Sequence, residues 1–142
     1  MKYKTRELTG GRLDQAVAKA CGYIYDKNIS EDFIVTSLNQ TIPPQPPEVV
    51  HREVCRVVID GQERSFCPSS EWVHGGPIIE RERISVMAST LSMWDAVVNG
   101  FHSIEGGMTH GIDGAMAEDA PTPLVAAMRA FVAHKLGDEV DL

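Results

Sequence analysis

Phe66 to Val86 reads FCPSSEWVHGGPIIERERISV, and its punctuation decides the kind of fold this chain takes. The Cys-Pro pair ends a strand. Ser69 or Ser70 then offers an oxygen to cap a short helical turn carrying Trp72 and Val73. Gly75 and Gly76 allow positive φ or close backbone approach, and Pro77 suits the first position of a new turn. The stretch predicts a strand end, a turn, a tight Gly-Gly-Pro loop, another turn and a new strand over Ile84 to Met87. It holds no catalytic signature, so it predicts framework and one wall of a binding surface.

Just upstream, Glu53 to Phe66 carries the strongest β signal. Val54, Val57, Val58 and Ile59 lead into Asp60-Gly61, the dipeptide that favours a tight hairpin turn. Before it, Thr41 to Pro47 reads TIPPQPP, with prolines at 43, 44, 46 and 47. Such a run enforces an extended connection, here a stiff link within one domain. Ser30 to Gln40 fits helix or strand equally by periodicity, and Tyr23 to Ile29 allows a strand. Leu13, Ala16, Val17 and Ala20 form the stripe of a helix over about Gly10 to Cys21, with Thr9 as its cap and Gly22 as its stop. Lys2, Lys4 and Arg6 alternate with Tyr3, Thr5 and Glu7 as in a short strand with a basic face.

Downstream, Leu91 to Val98 fits a further strand or a short helix around Trp94. Gly100 to Ala120 is glycine-rich, lacks apolar periodicity and reads as a long loop. It repeats itself: His102-Ser-Ile-Glu-Gly-Gly-Met-Thr109 is followed by His110-Gly-Ile-Asp-Gly-Ala-Met-Ala117. Thr122, Pro123 and Gly137 delimit a last helix with Leu124, Val125, Met128, Phe131, Val132 and Leu136 as its apolar face. Arg129 stands opposite much of that face, and Asp138 to Leu142 is a short acidic tail. The expected fold class is α+β: a small, mostly antiparallel sheet with a β-hairpin, packed against N-terminal and C-terminal helices in a single domain over 1–142.

The chain has 142 residues, 43% of them hydrophobic, which suits one domain with a real core. Thirteen Lys and Arg against 20 Asp and Glu leave a net charge of −7. That argues against long nucleic acids and anionic membranes, and leaves room for a small anion held by local arginines. No run approaches a transmembrane length, and the first residues lack a signal peptide's apolar core. Cys21, Cys55 and Cys67 show no CxxC spacing, so a reduced, cytosolic compartment is expected.

Three blocks carry a resemblance: ELTGGRLDQAVAKACG (Glu7 to Gly22), CPSSEWVHGGPIIERERISV (Cys67 to Val86) and PTPLVAAMRAFVAHKLGDEV (Pro121 to Val140). In this order they resemble the NinX-like phage domain. The resemblance implies a phage or prophage origin and an α/β sandwich with the first and last helices on a small sheet. It brings no established activity and no catalytic residues. Asn28 to Arg56 and Gly100 to Ala120 depart from it and look like elaborations.

The candidate ligand-binding residues are Trp72, Gly75, Gly76, Arg81, Trp94, His102, His110, Thr122 and Arg129. Backbone N–H groups at Gly75-Gly76 suit an anion at a helix start, against the plainer reading of a tight turn. Trp72 and Trp94 offer stacking faces, against the plainer role of core anchors. Arg81, Arg83 and Arg129 offer phosphate forks, against surface pairing with Glu80, Glu82 or the acidic tail. Arg129 is favoured because its helix begins beside the long loop. His102, Glu105, His110 and Asp113 have metal-ligand chemistry, but their glycines fix no geometry, and a lid or contact loop is the better reading. Cys67 and His74 have nucleophile and base chemistry with no third group to orient them. No catalytic residue, metal or cofactor is expected. The expectation is a non-enzymatic phage accessory protein and homo-oligomer that binds a small anion, most naturally a cyclic or linear nucleotide, and so sequesters a host immune signal. The alternatives are a protein–protein module acting on a host or phage enzyme, and a metal-dependent hydrolase.

Overall fold

The structure, a computed structural model, describes residues 1–36, 48–99, 103–105, 108–110 and 116–142. The proline run at 41–47 lies outside them. The strands are β1 (Lys2–Lys4), β2 (Ile24–Tyr25), β3 (Ser30–Thr36), β4 (Glu48–Ile59), β5 (Gln62–Phe66), β6 (Ile84–Ala88), β7 (Trp94–Val98), β8 (Ser103–Glu105), β9 (Met108–His110), β10 (Met116–Ala120) and β11 (Glu139–Asp141). The helices are α1 (Gly10–Ala20), α2 (Trp72–Arg81) and α3 (Pro123–Leu136).

The α+β class and its antiparallel strand pairing are as expected, and they are divided among several small sheets. β4 is the spine of one. β3 pairs along its first half, β2 takes Val57 and Val58, and β5 returns along Cys55 to Ile59. Asp60 and Gly61 turn that hairpin with φ of 52° and 74°, as the Asp-Gly pair requires. A second sheet has the order β10-β7-β6. α1 packs on β4 and β2, α3 packs on β6, β7 and β10, and the two helices pack on each other. Each helix thus faces its own sheet instead of sharing one. Ala16 and Ala18 of α1, with Ala126, Ala127 and Ala130 of α3, are fully buried, and small side chains let elements approach closely.

α3 is enclosed from Leu124 to Val132 without a break. Its apolar face was legible, but its opposite face does not meet solvent, because the second sheet and α1 cover it on different sides. The acidic tail is a strand: β11 pairs with β1 from Lys2–Asp141 to Lys4–Glu139, and Val140 joins the core.

Two expectations are corrected. Gly75-Gly76-Pro77 is not a loop but the middle of α2. Gly75 is there because α2 leans on its neighbours: a Cβ would sit 2.5 Å from the Pro68 carbonyl oxygen and 2.7 Å from Leu124 Cδ2. Pro77 forfeits one helical bond, whose acceptor would be the carbonyl of exposed Val73. The Gly100–Ala120 segment is not one long loop. β8 and β9 pair with each other from Ser103–His110 to Glu105–Met108, and β10 pairs with β7. Strands of three and five residues are too short to show a period, so periodicity did not reveal them. Leu91 to Val98 resolves as strand over Trp94–Val98.

Candidate functional site

Arg129 anchors a cavity of about 700 Å³. Lys4 lines it from the end of β1, Thr5 and Arg6 from the turn that follows, Met116 to Asp119 from β10, Arg129 and Ala133 from α3, and Asp138 and Glu139 from the start of β11 and the residue before it. Arg129 is only 9% exposed. Its Nε donates to the Leu8 carbonyl oxygen at 2.9 Å. Among the described residues no acceptor meets its two Nη groups, and no carboxylate pairs with it. Burial alone acts on its pKa and pulls it down. A buried cation with free donors at a cavity has the chemistry to meet an anion there.

A second cavity, of about 420 Å³, lies where all three helices begin. Gly10 opens α1, Ser69, Ser70 and Trp72 lead into α2, and Thr122 to Val125 open α3. Thr122 Oγ1 accepts the Val125 N–H at 3.2 Å, whereas neither Thr9 nor Glu71 caps its helix with a side chain. Behind this cavity Asp14, almost fully buried, accepts the Ser69 N–H at 2.8 Å. Arg52 reaches Glu71 at 2.5 Å and the Ser70 hydroxyl at 3.0 Å. His74 Nδ1 accepts the Cys67 backbone N–H at 3.0 Å. That places the proton of a neutral ring on Nε2, so the Glu71 carboxylate 3.3 Å from Nδ1 is a neighbour and not an acceptor. The Cys67 thiol is 2% exposed, and burial pushes its pKa up. His74 therefore meets the backbone of Cys67, with no nucleophile–base contact to the thiol.

Burial raises the Asp14 carboxyl from 3.8 to about 6, against the pull of Ser69 hydrogen bonds and Arg52. A folded-state pKa above the unfolded one means that ionised Asp14 costs stability above pH 6, and that the cost fades as pH falls towards 4. Asp14→Asn keeps an acceptor for Ser69 and removes the charge. It is expected to be more stable than the native protein at pH 8 by about 1–3 kcal/mol, with the gap closing at pH 4. Urea unfolding at both pH values measures this, and a less stable variant at pH 8 overturns it.

The family model of bacteriophage P22 NinX matches residues 4–135. The chain belongs to this family. The match runs from β1 into α3, so it covers the whole second cavity of this NinX-family protein and all of the first except Asp138 and Glu139. No curated protein matches the chain. No described helix is long and apolar enough to cross a membrane.

The expected site residues of this NinX-family protein scatter. Arg129 lies at the first cavity, Trp72 and Thr122 at the second. Gly75 lies on the face of α2 that is packed against Pro68 and Leu124, and a Cβ on Gly76 would meet nothing within 4 Å apart from its chain neighbours. Arg81, at the far end of α2, bonds Glu82 at 3.0 Å and lines neither cavity. Trp94 is half-buried in β7, registered against Ala88 and Ala120 and packed on the core, so it serves as an anchor. His110 sits opposite Ser103 in the β8–β9 ladder. His102 and Asp113 lie outside the described residues. Among the described residues no group of three metal-ligating side chains occurs. Asp14, Arg52, Glu118 and Asp119 were missed. The Asp14–Ser69 contact joins residues 55 apart, and no local pattern announces a contact of that range.

Proposed function

We propose that this NinX-family protein is a non-enzymatic phage accessory protein that binds a small anionic ligand, a nucleotide, in the Arg129 cavity. The buried, uncompensated guanidinium carries this reading. Taking a cation out of water costs several kcal/mol unless a partner repays it, and no described side chain does so. A cavity of about 700 Å³ is within the size range of small-molecule sites. Sequestration of a host nucleotide signal in the host cytoplasm is the role that such binding without turnover would serve. The same reading takes the protein to be a homo-oligomer, and the exposed pair Trp72 and Val73 on α2, 58% and 73% accessible, is the apolar surface a second copy would cover.

Thermal denaturation against a panel of cyclic and linear nucleotides tests the binding. A true ligand at 100 times its Kd adds about 2.7 kcal/mol of stability and raises the melting temperature accordingly. Failure of every nucleotide in the panel to stabilise the protein ends the proposal.

A further inference from the structure

The carboxylates that share the cavity with Arg129 narrow the class of ligand. Resting on the reading that this cavity binds an anion, we propose that it selects esters with a single phosphate group, nucleoside monophosphates or cyclic mononucleotides, and rejects polyphosphates. Arg129 is the buried cation of the lining. Lys4 and Arg6 are largely exposed and both lie beside Glu7, at 3.8 and 4.0 Å. Against these stand Glu118, Asp119, Asp138 and Glu139.

The acidic rim is built into the backbone. The register of β10 on β7 shifts between Ala117 and Ala120. Asp119 sits in that bulge at φ 54°, a left-handed conformation unusual outside glycine. Its N–H is held by Asp95 Oδ1 at 3.0 Å. A regular strand turns neighbouring side chains to opposite faces; Glu118 and Asp119 fall in the bulge, and both line the cavity. The cavity is therefore bipolar. One phosphate satisfies the free guanidinium donors as a fork. The amino and hydroxyl groups of a base and ribose supply donors that the carboxylates accept. Each further phosphate brings negative charge against those same carboxylates.

Titration calorimetry on the full chain, at low ionic strength and without divalent metal, tests this with AMP, GMP, CMP and UMP, their 3′,5′-cyclic forms and the matching triphosphates. The best single-phosphate ligand is expected to bind roughly ten-fold or more tightly than its triphosphate. Added salt is expected to shrink the difference. So is the double variant Glu118→Gln/Asp119→Asn, whose positions are exposed and whose Asn tolerates left-handed φ. An unchanged melting temperature without ligand confirms that the variant folds. A triphosphate that binds as tightly overturns the single-phosphate inference. A preference that survives in the double variant overturns the role of the rim. Binding of none of these nucleotides overturns the anion-site reading itself.

Discussion

Gly75→Ala is expected to lower the stability of the protein by about 3 kcal/mol, at the upper end of overpacking costs. The new methyl would lie 2.5 Å from the Pro68 carbonyl oxygen and 2.7 Å from Leu124 Cδ2. Leu124 can turn aside; a backbone carbonyl cannot. Relief requires α2 to move off the 67–71 turn, which also carries the Ser69 N–H bonded to Asp14 and the Cys67 N–H bonded to His74. The neighbouring glycine is the control. A Cβ on Gly76 meets nothing within 4 Å, and alanine favours a helix over glycine by about 0.5–1 kcal/mol. The ring of the following Pro77 crowds a Cβ at this helical position and offsets that gain, so Gly76→Ala is expected to change stability by less than about 1 kcal/mol. Urea unfolding of both variants decides the matter, and equal effects at the two positions would refute the close approach.

Arg129→Met is expected to abolish nucleotide-dependent stabilisation, a loss of about 2.7 kcal/mol at 100 times the native Kd, while leaving the unliganded protein at least as stable as the native one. The two halves have different causes. The Leu8 carbonyl loses its donor at 2.9 Å, at about 1–3 kcal/mol. Against this, an uncompensated charge leaves the interior and methionine fills the same channel with apolar atoms. Arg129→Lys keeps the charge but not the fork, so it is expected to retain weak binding with reduced discrimination. Melting curves with and without ligand read both quantities. A Met variant that melts far below the native protein yet still binds would make Arg129 a structural residue.

The two predictions differ in how far the sequence anticipated them. Gly75 was singled out as a site for close backbone approach, and that physical requirement is what the fold uses. Its placement in a loop was wrong, because the same glycine serves a helix packed against Pro68 and Leu124. Arg129 was singled out as a phosphate fork opposite much of its helix's apolar face, on a helix that begins beside the long loop. It is a buried residue instead, since α3 is enclosed by the second sheet and α1. Trp94 and Arg81 show the limit of residue type as a guide. Both have the right chemistry, but β-pairing takes one into the core edge and an ion pair holds the other at the end of α2.

What the sequence determined by itself is what nearest neighbours decide. Asp60-Gly61 makes the hairpin because its residues accept positive φ. Thr122 and Pro123 start α3 because a side-chain oxygen and a missing N–H answer the needs of a first turn. The stripe of Leu13, Ala16 and Val17 predicts α1 because helical spacing brings it to one face. Only the tertiary structure decided that α3 has no solvent face from Leu124 to Val132, that Glu118 and Asp119 fall in a bulge on the cavity wall, and that Asp14 is buried under Ser69. Each of these depends on residues far away in the chain that cover or pair with the segment, and burial and pairing are properties of what surrounds a group, not of its neighbours in sequence.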